Sequence, residues 1–162
     1  MLINYHHINN SYIKSYCHDI CYNLITLQDD IDIILATNTA ENIYTLVLKY
    51  QSLGILLNRF SSNHFENSYL YMGNWHRIID ILCGKGNMNL FQNPKSSLVD
   101  EEKTFLIELK LINSFLINEL VTKETPLTLR KININSLEII FVSYQEVKLN
   151  NFLSKWELKN AN

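Results

Sequence analysis

Glycine and proline are scarce in this 162-residue chain, at four and two residues. Their scarcity removes the punctuation that a many-stranded β protein needs and fits long helices joined by few turns. Arginine is equally sparse, occurring only at Arg59, Arg77 and Arg130, and the formal net charge is -2. No basic stripe is available to neutralise phosphates, which disfavours nucleic-acid binding. The three cysteines, Cys17, Cys21 and Cys83, are an odd and small set, whereas a secreted, disulfide-stapled domain shows an even framework. They read as reduced thiols. The start, MLINYHHINN, has neither the basic opening nor the apolar run of a signal peptide. No stretch approaches the ~20 apolar residues that span a bilayer. The expectation is a soluble cytoplasmic protein without a membrane partner.

What is present is enough for a core. With 47% hydrophobic and 19% charged residues, the chain has apolar material to bury and too little charge for disorder. Its length is near the commonest domain size, so a mainly α, single-domain helical bundle is the expected class. Isoleucine, asparagine, leucine and tyrosine are abundant and share AT-rich codons, so the asparagine richness carries little functional weight.

Periodicity predicts the elements. Ile13, Tyr16, Cys17, Ile20, Leu24 and Leu27 recur every three or four residues and predict a helix from about Tyr12 to Leu27, with Ser11 as its N-cap. Asp29, Asp30 and Asp32 read as the acidic first turn of a separate short helix through Ile33, Ile34 and Leu35. A long helix follows Thr39, with Ile43, Leu46, Val47, Tyr50, Gly54 and Leu57 on one face, ending near Arg59 before a turn at Ser61, Ser62 and Asn63. Gly54 in that face would let another helix approach closely. Trp75, Ile78, Ile79 and Leu82 mark a helix closed by Gly84, and residues 84–97 form the longest loop. Val99, Asp100, Glu101 and Glu102 open the central helix, which carries Phe105, Leu109, Ile112, Leu116 and Leu120 on one side and reaches Thr122. Ile107, which interrupts the polar side, predicts deeper burial for this helix. Leu127 to Ile134 reads as a strand. Leu137, Ile140, Phe141, Tyr144 and Val147 fit helical spacing, while the β-branched run Ile139 to Val142 keeps a short hairpin open within residues 127–144. Phe152, Leu153 and Trp156 predict a terminal helix.

Each reactive cluster has a plainer explanation. Cys17, His18 and Cys21 resemble metal ligands, but Cys17 sits in the apolar stripe, His18 points to the polar side, and no second ligand pair completes a tetrahedron. His76 and Asp80, four apart, fit an oriented general base, with His64 or Cys83 as possible neighbours, yet no nucleophile elbow or oxyanion hole accompanies them. Gly84-Lys85-Gly86-Asn87 follows a helix, where a phosphate loop follows a strand, so a helix cap suffices. His6 and His7 alone define no metal site. No catalytic residue, metal or cofactor is therefore assigned, and nothing in the pattern bears on self-association. The window from His64 through Tyr69, Tyr71, Trp75 and His76 mixes aromatic and polar groups as interface hot spots do, with core packing the plainer account of Trp75. The acids Asp29, Asp30, Asp32, Asp100, Glu101 and Glu102 would display charge to a basic partner while serving as helix starts.

On those acidic helix starts and the aromatic window around Trp75, the chain resembles the small helical immunity proteins that bacteria make against polymorphic and contact-dependent growth-inhibition toxins. The resemblance implies a non-enzymatic protein that covers the active site of a cognate toxin, such as a nuclease. It transfers no individual binding residue. The competing expectation is a small helical enzyme centred on His76 and Asp80.

Overall fold

A computed structural model describes residues 10–40, 42–64, 73–85, 90–91, 97–123 and 126–160. The architecture is mainly α. Helix α1 (Asn10–Thr37) lies between α2 (Ile43–His64) and the central α4 (Asp100–Leu120), packing on both. The short α3 (Gly73–Leu82) leans on α2.

The expected break at the aspartates is absent: α1 runs unbroken for 28 residues. The reason is that Leu24, Leu27, Ile31 and Ile34 continue the earlier stripe at the same spacing, all fully buried, with no glycine or proline between them. Asp29, Asp30 and Asp32 are thus interior helix residues. Two of them tie helices together, Asp30 to Lys49 of α2 and Asp32 to Lys110 of α4. The helix stops where Asn38 turns left-handed, with φ 53°.

Helix α2 likewise runs through the expected turn at Ser61, Ser62 and Asn63. These side chains bond back to carbonyls one turn earlier, Ser61 to Asn58, Ser62 and Asn63 to Arg59, which satisfies them without leaving the helix. Helix α3 ends as expected. Gly84 has φ 69°, its amide donates to the Ile81 carbonyl, and the Lys85 amide donates to the Asp80 carbonyl. This pair of bonds is the Schellman stop. Of the expected loop at 84–97, residues 86–89 and 92–96 lie outside the described residues.

Glu102 closes the start of α4. Its carboxylate accepts from the amides of Val99 at 3.0 Å and Phe91 at 2.9 Å, so it is buried and unavailable to a partner. After α4 a two-stranded antiparallel hairpin pairs β1 (Val121–Lys123) with β2 (Thr128–Leu129). The hairpin thus begins before the window expected for it, and the β-branched run Ile139 to Val142 is helical. Asn133 explains why: its Oδ1 accepts from the Ser136 amide at 2.8 Å and starts α5 (Ile134–Val142). Helix α5 passes through a π-helical segment, Ser143–Leu149, into α6 (Asn150–Asn160), forming one continuous helical rod.

All these elements feed one hydrophobic cluster. Its aromatic floor joins Phe105 of α4 to Phe152 and Trp156 of α6, with ring centroids 5.0 and 5.3 Å apart. The Trp156 indole also donates to Glu108 at 2.9 Å. Ile107, expected to deepen the burial of α4, is exposed on its outer face.

Candidate functional site

Among the described residues, grooves open on the surface at two places of note. One, of about 550 Å³, lies between the first turns of α1 and the hairpin, lined by Lys14, Ser15, His18, Leu127 and Leu129. The other, of about 470 Å³, lies between α2 and α3 and is lined by Gln51, Gly54, Ile55, Asn58, His76 and Asp80, with Trp75 and Ile79 behind.

The α2/α3 groove is built by local packing. Trp75 is fully buried, and its indole donates to the Tyr50 carbonyl at 2.8 Å, which fixes α3 against α2 one turn before Gly54. Gly54 is itself buried in the groove lining. Above this floor the polar groups are uncommitted. Among the described residues, the side chains of Gln51, Asn58, His76 and Asp80 make no hydrogen bond or ion pair.

The groove continues into an apolar stripe. Tyr44, Leu48 and Ile55 are exposed by 69%, 44% and 56%, and spacings of four and seven residues set them on one face of α2. The same face carries Gln51 and Asn58, so stripe and groove rim form a single surface. In the α1/hairpin groove His18 faces Asp19 at 3.8 Å and Thr128 donates to the Pro126 carbonyl.

Beneath the groove lies a buried polar chain. Asn113 of α4 donates through Nδ2 to the Tyr50 hydroxyl at 2.6 Å and accepts through Oδ1 from the Tyr144 hydroxyl at 2.8 Å. Burial pushes both tyrosine hydroxyls above the usual range and keeps them neutral, Tyr50 as acceptor and Tyr144 as donor to Asn113. The neighbouring Gln145 is buried, and its Oε1 has no hydrogen-bond partner among the described residues. This chain pins α2, α4 and the π segment together.

The residues singled out from sequence are dispersed. Trp75 belongs to the core and cannot serve as a hot spot. His76 is exposed on the groove, and Tyr69 and Tyr71 lie outside the described residues, as does the side chain of His64. His76 and Asp80 share the groove but are not bonded to each other among the described residues, and Cys83 is exposed on the last turn after α3. Asp100 and Glu101 pair with Lys103 and Lys159, while Asp29 alone of the acidic candidates is exposed without an ion pair among the described residues. Lys110, the partner of Asp32, is ten residues along α4 from Asp100, about 15 Å at helical rise, so the two acidic groups do not converge. Burial pushes the Cys17 and Cys21 thiols up to about 12, away from the thiolate a metal requires. Among the described residues no cluster of three histidine, cysteine or acidic side chains could hold a metal ion, and no helix is long and apolar enough to cross a membrane.

No protein family, curated protein or solved structure was found to match the chain.

Proposed function

We propose that this protein is a single-domain, non-enzymatic binding protein of the cytoplasm, and that it engages a protein partner through the outer face of α2 and the adjoining α2/α3 groove. The observation that carries this reading is the exposed line of Tyr44, Leu48 and Ile55 running beside four uncommitted polar side chains. An apolar centre with a polar rim is the anatomy of a specific interface. A partner helix or edge laid along α2 would bury the stripe and satisfy the rim.

Within that class the fitting role is that of an immunity protein, which neutralises a cognate toxin by covering it. The supporting features are modest size, helical build and a surface suited to complementarity. The test is to look beside this gene for a toxin domain and to co-express the two: growth is rescued and a 1:1 complex co-purifies. A neighbouring toxin domain that still kills and yields no complex would exclude the role. An enzyme centred on His76 and Asp80 is the weaker reading, because the two groups do not orient one another; His76→Ala would then abolish turnover without lowering Tm.

A further inference from the structure

The outer face of α4 carries a pattern that reads the same from either end. Asp100, Thr104, Ile107, Leu111, Ser114 and Asn118 follow one another at alternating steps of four and three residues, which sets them on one seam. Ile107 and Leu111 at its centre are exposed by 49% and 66%; Asp100, Thr104 and Asn118 are exposed and Ser114 is half-buried. The two ends differ in charge. The Asp100 side chain is fully exposed, 3.5 Å from Lys103. At the other end Arg130 reaches back from the hairpin, donates through Nε to the Asn118 carbonyl at 3.1 Å and makes no ion pair among the described residues. The charges flanking the seam are neutralised within the chain, Lys110 by Asp32, Glu108 by Lys155 and Glu101 by Lys159. Glu119, turned about 100° from Asn118, lies off the seam.

We propose that this seam is the contact between two copies of the chain, paired antiparallel about a two-fold axis. Such an axis sets one patch against itself, and the seam meets that demand in a single register. Ile107 lies opposite Leu111 of the second copy, Thr104 opposite Ser114, and Asp100 opposite Asn118 with its bound Arg130. Apolar side chains then meet at the axis, and an Asp100–Arg130 pair closes each end. Within one copy Asp100 and Asn118 are about 27 Å apart along α4, so that pair forms only between copies. With two apolar side chains per copy at its centre, the contact is far smaller than an obligate interface, and the association is reversible. Helix α1 lies between α2 and α4, so the dimer leaves the α2 face open.

The test is sedimentation velocity on the whole protein from micromolar to near-millimolar concentration. The unaltered chain should pass from monomer to dimer. Leu111→Asp, which buries two unpaired carboxylates against apolar surface, should weaken the dimer at least about tenfold; Leu111→Ala, which adds no charge, should act in the same direction. Asp100→Arg and Arg130→Asp each set like charges opposite one another at both ends and should each weaken self-association at least about fivefold. Mixed in equal amounts, these two variants regain opposite charges at both ends, and a heterodimer of nearly the parent affinity should form. A chain monomeric throughout, a dimer indifferent to the Leu111 variants, or a mixture that associates no better than either variant alone would each overturn the proposal. So would a dimer broken by Leu48→Asp and not by Leu111→Asp, which moves the self-contact to α2, or a monomer whose partner complex is lost with Leu111→Asp, which gives the seam to a foreign protein.

Discussion

Asn113 shows how much one side chain can hold. It is fully buried and engages the hydroxyls of Tyr50 and Tyr144 from opposite ends of its amide. Asn113→Ala removes both bonds, strands two buried hydroxyls and opens a small void. A loss of roughly 3 kcal/mol is expected, since each stranded buried group costs about 1–3 kcal/mol. Urea unfolding should show a lower midpoint with unchanged slope. The buried thiols make a different case, because their effect depends on pH. Cys17 and Cys21 ordinarily ionise near 9.0 and are pushed by burial up to about 12. The folded state then holds protons that the unfolded state releases, so this stability is full below pH 9 and is lost as pH rises toward 12. The double variant Cys17→Ala, Cys21→Ala should flatten the fall of the urea midpoint across that window. Part of the slope should survive, because Tyr16, Tyr50 and Tyr144 are also raised; an unaltered slope would contradict the assignment.

At the scale of elements, the π segment sets the register of everything after it. Ser143–Leu149 takes an extra residue per turn relative to an α-helix, and this brings Tyr144 to Asn113 while leaving Phe152 and Trp156 facing Phe105. Inserting one alanine after Asn151, an exposed residue beyond the segment, would keep the π geometry and rotate the rest of α6 by about 100°. Trp156 would then leave both Phe105 and Glu108. The expected outcome is a loss of several kcal/mol, on the scale of removing a large aromatic from a core, read by thermal unfolding; substituting Asn151 by alanine in place should cost little. Nothing in the sequence announces this segment, because its polar and apolar residues satisfy α and π spacing about equally. Other elements were legible for a clear reason. The stripes of α1, α2, α3 and α4, and the stop at Gly84, follow from spacing and from left-handed geometry. The misreadings share a cause too: three aspartates look like a helix start, and Ser-Ser-Asn looks like a turn, when tertiary partners or back-bonded side chains can hold either inside a helix. The groove was invisible because its walls lie about twenty residues apart in sequence, and only packing of Trp75 on Tyr50 brings them together.

For the whole molecule, the buried face of α2 and the face proposed for binding lie opposite one another. The inner face carries Leu46, Tyr50, Leu53 and Leu57, all buried, and Tyr50 continues through Asn113 into α4. The outer face carries Tyr44, Leu48 and Ile55, whose exposed side chains add little to the core. A charge placed outside should therefore leave the fold intact and spoil association, since surface substitutions away from structural features change stability by only about 0.5 kcal/mol. Leu48→Asp and Ile55→Asp are expected to hold Tm within a few degrees of the parent protein. In a complex they would bury an unpaired carboxylate against apolar surface, and a central hot-spot loss of about 2 kcal/mol or more should follow, a decrease in affinity of at least thirtyfold. Calorimetric titration against the partner separates the two effects. A matched change at Ile107 of α4, Ile107→Asp, is exposed on a different helix and should leave affinity unchanged. If instead Ile107→Asp weakens the complex and the α2 variants do not, the binding face belongs to α4, and the groove beside α3 has no part in it.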